Sequence, residues 1–260
     1  MNARKKTAQR LGGAFAILLV VVSVAPFLYV LLRSFITPQG VTFLSYYDVF
    51  WGQSQYLIRF WKSMGIVLAV GFGQIVVSVL AGYGFAKFHF RGRNVLFFIL
   101  MLLMVLPVQV TLVPNYIMLN RLNLLDTYSA LILPLIFAPL GTFILRQSFL
   151  SVPDSITDAA MLDGCGSLRT LLYVMVPMNL SGMVCAFLLS FLDAWNMVEQ
   201  PIAYLKDIHR YPLSVALAYV PPADTTIHLV CCILVVLPCL FCFTFFNREL
   251  VEGITLAEVK

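Results

Sequence analysis

Charge is scarce in this sequence. Asp, Glu, Lys and Arg together make up 11% of its 260 residues, whereas an ordinary soluble domain carries about 25%. Hydrophobic residues make up 61%, and the mean hydropathy is +0.92. So few charged side chains cannot cover a water-exposed surface, which excludes a soluble enzyme, a disordered regulator and a free nucleic-acid binder. We therefore expect a membrane protein.

Motifs of enzymatic and metal chemistry are also missing. Gly71-Phe72-Gly73 lacks the third glycine of a dinucleotide fingerprint, and Gly82–Lys87 lacks the glycine that precedes the lysine of a phosphate-binding loop. The three histidines have no metal-site spacing. Cys239 and Cys242 lie among Leu and Phe, so we interpret them as apolar filler rather than a redox pair. The sequence predicts no catalytic residue, no metal site and no cofactor bound by this chain itself.

Long uncharged intervals are abundant instead. Six intervals of 19 to 27 residues contain no Asp, Glu, Lys or Arg, and each can form a helix that crosses a bilayer core of about 30 Å. None alternates apolar and polar residues as a barrel strand does. The predicted fold is all-α, a polytopic membrane protein with six transmembrane helices. The predicted spans are about 11–32, 63–86, 94–113, 127–145, 177–200 and 227–246.

The basic residues predict the orientation of these spans. With the N-terminus inside, eleven Lys and Arg residues fall on the cytoplasmic side and six on the outer side, as the positive-inside rule requires. Both tails, 1–10 and 247–260, are therefore expected to be cytoplasmic. The span interiors hold almost no ionisable residue, and we interpret Asp193, Glu199 and His228 as interfacial residues near outer ends. This disfavours a carrier driven by protons or sodium ions.

The cytoplasmic connection 151–170, between the fourth and fifth spans, has a distinct local pattern. A short helix can begin at Ser151 or at Pro153-Asp154, because proline tolerates the first turn and an acid suits the positive helix end. Gly164 is expected to end it, and a second helix is expected to begin at Ser167 and run toward the membrane. The apolar face of the short helix is predicted to contain Ile156, Ala159, Ala160 and Leu162.

This connection resembles the EAA loop of binding-protein-dependent ABC importers. That loop reads Pro, four residues, Glu-Ala-Ala, two residues, Asp-Gly-Ala, and then a proline before the next span. Asp158 stands in place of the usual Glu, and Cys165 in place of Ala. The matching residues are Pro153, Ala159, Ala160, Asp163, Gly164 and Pro177.

The resemblance covers nearly the whole chain and is to the carbohydrate-uptake permeases of this class. It includes Tyr83–Arg93 at the second-span exit, Leu106–Gln109, Phe143–Gln147, Trp195-Asn196 and the tail from Val251 to Lys260. It implies a type I ABC importer permease fold in a bacterial cytoplasmic membrane. The implied partners are a second permease, two cytoplasmic ATPase subunits that bind ATP and Mg, and an extracytoplasmic solute-binding protein.

The resemblance also implies a role for the loop, whose short helix docks into a groove on the ATPase. A small apolar face lets two backbones approach, a charge sets the register, and a rigid bend transmits the movement. The residues expected to couple to the ATPase are Asp158, Ala159, Ala160, Asp163, Gly164 and Gly166. The alternative interpretation of this segment is an amphipathic connector that lies on the membrane surface.

Uncharged polar residues in the spans suggest a path for a sugar, which needs hydrogen bonds and aromatic faces rather than ions. The candidate path residues are Gln74, Ser78, Tyr83, Gln109, Ser181, Ser190, Trp195 and Asn196. An amino-acid or phosphate-ester permease remains an alternative within the transporters. A membrane scaffold without transport and an intramembrane enzyme are the alternatives outside them.

Overall fold

The computed structural model describes residues 2–37, 40–52, 55–219 and 225–251, with only the backbone of residues 2–12, 14 and 37. Apart from a two-stranded hairpin, the regular structure in these ranges is helical. Strand β1 (Ile36–Thr37) pairs antiparallel with β2 (Gly40–Val41). The helices are α1 Asn2–Arg33, α2 Leu44–Tyr47, α3 Gln55–Lys87, α4 Arg93–Val105, α5 Val108–Arg121, α6 Tyr128–Ile136, α7 Pro139–Leu150, α8 Asp154–Leu162, α9 Ser167–Thr170, α10 Val176–Met178, α11 Leu180–Trp195, α12 Glu199–Tyr204, α13 Leu213–Ala216 and α14 Thr225–Phe245.

Four stretches of the described residues are long and apolar enough to cross a membrane. They are Phe15–Arg33, Gln55–Lys87, Tyr128–Leu150 and Thr225–Phe245. Two further pairs of helices pass the same test together but are bent, by 106° between α4 and α5 and by 82° between Ser167–Met178 and α11. Counted as one span each, they make six spans in the described residues, as the hydropathy predicts. The predicted helical membrane fold is confirmed.

The chain forms two compact units. The first comprises residues 1–58 and 219–236. Its α1 helix has no buried side chain in the Phe15–Arg33 stretch. After α1 the chain is held by Tyr46, whose ring stacks on Phe35 with centroids 5.0 Å apart and whose hydroxyl lies 2.7 Å from Ser34 Oγ.

The second unit comprises residues 59–218 and 237–260. Small residues bring its helices close together. A Cβ atom added at Gly82 would lie 3.0 Å from the backbone nitrogen of Arg146 in α7, and one added at Gly141 would overlap the Ser78 hydroxyl. Gly182 in α11 approaches Ser148 of α7 equally closely. These contacts place α3 and α11 against α7.

The predicted span 94–113 is two helices in the structure. Leu106 and Pro107 both adopt extended backbone conformations, with ψ angles of 129° and 144°. Proline has no N–H to continue the helix and disfavours helical geometry at the residue before it. The chain therefore turns sharply between α4 and α5, and the helical region continues beyond 113 to Arg121.

The predicted span 177–200 also differs from the structure. The helical path begins at Ser167, passes through a π-helical turn, breaks at Asn179 and ends at Trp195. Asn179 has φ −120° and ψ 29°, and its side-chain Nδ2 donates to the Met175 carbonyl at 2.7 Å. That side chain therefore replaces the backbone bond that a continuous helix would make. The remaining predicted tail residues, 252–260, lie outside the described part of the chain.

Candidate functional site

Helix α8 occupies the centre of the predicted coupling loop. Pro153 caps it in an extended conformation and Asp154 begins its first turn, as the sequence predicts. At the other end Gly164 has φ +80°. The N–H of Gly164 donates to Met161 O and that of Cys165 to Ala160 O, both at 3.0 Å, which is a Schellman motif. Glycine thus ends the helix and turns the chain toward α9, which is capped by Gly166.

The two faces of α8 differ in exposure. Ala160 is only 8% exposed, Thr157 is buried, and Ile156 packs against the core of the second unit. Asp158, Ala159 and Asp163 are exposed. Of the predicted coupling residues on this helix, Ala160 therefore faces the chain itself, and Asp158 and Ala159 face outward.

Leucine and methionine supply the outward apolar contacts. Leu162 is 90% exposed and Met161 is 52% exposed. Ile156 and Ala160, four residues apart, both lie on the side that packs against the core, whereas Ala159 and Leu162 are exposed. The sequence groups all four on one apolar face, whereas the structure divides them between the core and an exposed surface. We call the exposed residues Asp158, Ala159, Met161, Leu162 and Asp163 the loop surface.

Helix α8 is attached to the end of α3 by Lys87. The Lys87 Nζ atom donates to Val152 O at 2.6 Å and to Asp154 Oδ1 at 2.7 Å. The hydrogen bond and positive charge of Lys87 lower the pKa of the Asp154 carboxyl below its ordinary value. A cavity of about 570 Å³ beside this contact is lined by residues of both segments, including His89, Arg93 and Asp158. The second span and the loop helix are therefore mechanically joined.

Five of the predicted path residues are buried between helices. Gln74 donates from Nε2 to Ala138 O at 3.0 Å, and Ser190 donates to Ala186 O of its own helix at 2.7 Å. Ser78 is fully buried beside Gly141. Tyr83 and Trp195 are each 4% exposed and pack in aromatic clusters. The Gln74 bond joins α3 to the residue before α7, whereas the Ser190 bond stays within α11.

The other three predicted path residues have different surroundings. Gln109 is exposed, and its Nε2 donates to Glu199 Oε1 at 2.6 Å. Asn196 caps the end of α11 by donating to Leu192 O at 2.8 Å. Ser181 is half-buried near the start of α11.

A second cavity, whose mainly apolar wall carries several polar side chains, lies elsewhere in the second unit. It has a volume of about 830 Å³ and is bordered by α4 to α7, α11 and α12. None of the eight predicted path residues is among the described residues that line it. Its polar side chains are Thr111, Asn115, Asp193, Gln200 and Tyr204. The one sequence pattern that points to it is the four-residue spacing of Thr111 and Asn115, which puts both on one face of α5.

The described residues contain no group of three or more His, Cys, Asp or Glu side chains arranged to hold a metal ion. The features that they do contain are a helical membrane bundle, a cavity with polar groups and an exposed loop helix.

Residues 74–255 match a protein family described as the binding-protein-dependent transport system inner membrane component. The chain belongs to this family. Its members are transport components rather than enzymes, and the predicted ABC importer permease class is confirmed.

Similar proteins agree with this assignment. The chain is 28% identical over 226 residues to the arabinooligosaccharides transport system permease protein AraQ of Halalkalibacterium halodurans, covering 86% of this chain and 81% of that protein. It is 34% identical over 146 residues to the sn-glycerol-3-phosphate transport system permease protein UgpE of Yersinia pestis, covering 56% of this chain and 52% of that protein.

A solved structure shares the fold. A chain of a bacterial ABC transporter involved in the import of the acidic polysaccharide alginate superposes with a TM-score of 0.81 and 18% sequence identity. The match covers 95% of this chain and 98% of that chain. The chain is therefore a multi-pass membrane component of a binding-protein-dependent transport system.

Proposed function

We propose that this chain forms half of the solute pathway of an ATP-driven importer for a sugar or sugar derivative in a bacterial cytoplasmic membrane. The transport systems of the two similar permeases are named for arabinooligosaccharides and sn-glycerol-3-phosphate, which supports a carbohydrate-related solute. The second half is a second permease subunit, most simply a different chain. A solute-binding protein delivers the solute from outside.

The exposed loop surface on α8 is the observation that carries this proposal. Leu162 is 90% exposed at the end of a short helix whose other face is packed into the chain. An exposed leucine beside carboxylates suits a partner pocket with an apolar floor and a polar rim. In this proposal the partner is a cytoplasmic ATPase subunit, which binds ATP and Mg.

The attachments of α8 provide a route for its movement. Lys87 joins the start of α8 to the end of α3, and the Schellman bend at Gly164 joins its other end to α9. Movement of an ATPase that holds the loop surface is therefore applied to the second and fifth spans together. Such movement alternates the access of the pathway between the two sides of the membrane. Because one chain offers one loop and an ATPase dimer has two grooves, two permeases and two ATPase subunits form the complex.

The experiment uses the complex reconstituted in vesicles with its binding protein. Leu162→Asp and Asp158→Lys are expected to reduce ATP-driven uptake by about tenfold or more, as substitutions at the centre of an interface do. The matched controls are Leu162→Met and Asp158→Glu, which keep apolar volume and charge and should keep uptake. Co-purification of the ATPase is measured for each variant. A variant that no longer retains the ATPase has lost docking, whereas one that retains it without uptake has lost the solute pathway. Equal uptake by all four variants would contradict the proposal.

A further inference from the structure

The cavity of about 830 Å³ has an acidic side chain but no basic one among the described residues that line it. Asp193 is its one ionisable acid, and no Lys, Arg or His is among the described residues that line it. The other polar side chains are the uncharged amides and hydroxyls of Asn115, Gln200, Thr111 and Tyr204. Leu, Pro, Met, Phe and other apolar residues form the rest of the wall.

Asp193 is available to a solute. Its side chain is exposed, and it makes no hydrogen bond or ion pair with another residue of the described chain. A carboxylate within a membrane-spanning helix is costly unless it faces water, a partner group or a ligand. Asp193 lies on the wall of the cavity, where one of these can reach it.

Hydrogen bonds join the two helices that carry most of these polar side chains. Glu199, the first residue of α12, accepts a hydrogen bond from Gln109 in the first turn of α5. This bond joins the helix that carries Gln200 to the helix that carries Thr111 and Asn115. Tyr204, at the end of α12, donates its hydroxyl to Leu112 O at 3.4 Å. The two helices thus present their polar side chains to one space.

We infer that this cavity admits neutral or cationic hydroxyl-rich solutes and excludes anionic ones, with Asp193 as the residue that determines this selectivity. The inference rests on the proposed function and narrows its solute class. A carboxylate accepts hydrogen bonds from sugar hydroxyls. The same carboxylate repels phosphate and uronate groups, and no cationic side chain in the described lining offsets it. Water-filled clefts lined by one sign of charge concentrate solutes of the opposite sign.

The test measures the electrostatic potential of the cavity directly in the purified complex. Asn115→Cys places a thiol on the cavity wall, and its rates of modification by positively and negatively charged methanethiosulfonates of similar size are compared. The same complex with Asn115 intact provides the background from the native cysteines. After correction for the reactivity of a free thiol in solution, the positive reagent is expected to react about tenfold faster.

Replacement of the carboxylate should abolish this difference. In the Asn115→Cys background, Asp193→Asn is expected to bring the ratio of rates close to one, while Asp193→Glu should preserve it. Asp207→Asn removes a carboxylate that is not among the lining residues and should leave the ratio unchanged. A ratio that does not respond to Asp193→Asn, or a cysteine that neither reagent modifies, would overturn the inference. ATP-driven uptake, measured on the complex with Asn115 intact, tests the proposed function separately. If this complex shows no uptake but the modification rates still depend on Asp193, the proposed transport function is wrong and the charge assigned to the cavity still holds.

Discussion

Lys87 Nζ lies 2.7 Å from Asp154 Oδ1 and joins the last residue of α3 to the first residue of α8. The Lys87 side chain is 8% exposed and that of Asp154 is 81% exposed, so the lysine is fixed and the carboxylate lies at the surface. Both charges also suit their helix termini, since a cation favours a C-terminus and an anion an N-terminus. The contact therefore fixes α8 to the end of the second span.

Removal of this contact should uncouple ATP hydrolysis from transport. In Lys87→Met the side-chain stem remains but both donated bonds are lost, so movement of α8 no longer moves α3. We expect the number of solute molecules transported per ATP to fall about three- to tenfold, a range that reflects the exposed position of Asp154. Lys87→Arg, which keeps the donor and the charge, should restore most of the ratio. An unchanged ratio in Lys87→Met would show that the contact does not transmit movement.

Asp126 should make stability depend on pH. Its carboxylate accepts hydrogen bonds from the backbone N–H groups of Lys206 and Asp207 at 3.0 and 3.2 Å, and Arg210 lies 3.6 Å from it. These hydrogen bonds, and then the charge of Arg210, lower the pKa of Asp126 in the folded chain. The stabilisation is therefore complete above the ordinary pKa of aspartate and is lost as the pH falls through the lowered folded value.

The variant Asp126→Asn isolates this charge. Asp126 has φ +59°, a backbone conformation that asparagine also adopts readily, so the substitution leaves the turn possible. The thermal unfolding midpoint of the wild-type complex should exceed that of Asp126→Asn at neutral pH, and the two should converge only below the ordinary aspartate range. If the difference between the two unfolding midpoints is the same at all pH values, the effect comes from the changed hydrogen-bonding geometry of the side chain and not from its charge.

Gly141 should be intolerant of a methyl group. A Cβ atom there would overlap the Ser78 hydroxyl and lie 3.4 Å from Gln74 Cγ. Overpacking of this kind costs about 1–3 kcal/mol, so Gly141→Ala is expected to lower the thermal unfolding midpoint of the complex. The second substitution Ser78→Ala removes the overlapping oxygen and should recover part of the loss. Gly84→Ala is the matched control, because none of the described residues has an atom within 4 Å of its added Cβ.

The sequence predicts the local features of this chain better than its cavity. Pro153 and Gly164 act on their own few residues, so the bounds of α8 follow from turn chemistry alone. The division between Ala160, which is buried, and Leu162, which is exposed, depends on where the rest of the bundle packs. The pattern of four apolar residues in α8 cannot specify which of them face the core and which face outward.

The cavity requires knowledge of the helix breaks. The bends at Pro107 and Asn179 decide which faces of α5 and α11 border the cavity. The sequence contains a proline at the first of these bends, but it does not specify the size of either bend. Gln74 and Trp195, which match the pattern of a solute path, are buried and contact residues of neighbouring segments. Asp193, interpreted from sequence as interfacial, lines the cavity.

The break in the fifth span should depend on Asn179. This residue is buried and uses both ends of its amide: Nδ2 donates to Met175 O at 2.7 Å, and Oδ1 accepts from Ser148 Oγ at 2.7 Å. Asn179→Ala leaves a carbonyl and a hydroxyl buried without these partners, at an expected loss of about 1–2 kcal/mol in the free energy of unfolding. Asn120→Ala, at an exposed position on α5, should be neutral. Thermal unfolding of the purified complexes measures the stability of both variants. The additional change Ser148→Ala should lower stability less in the Asn179→Ala background than in wild type, because the hydrogen bond between the two side chains is already absent there. Strictly additive losses would show that the two side chains act independently.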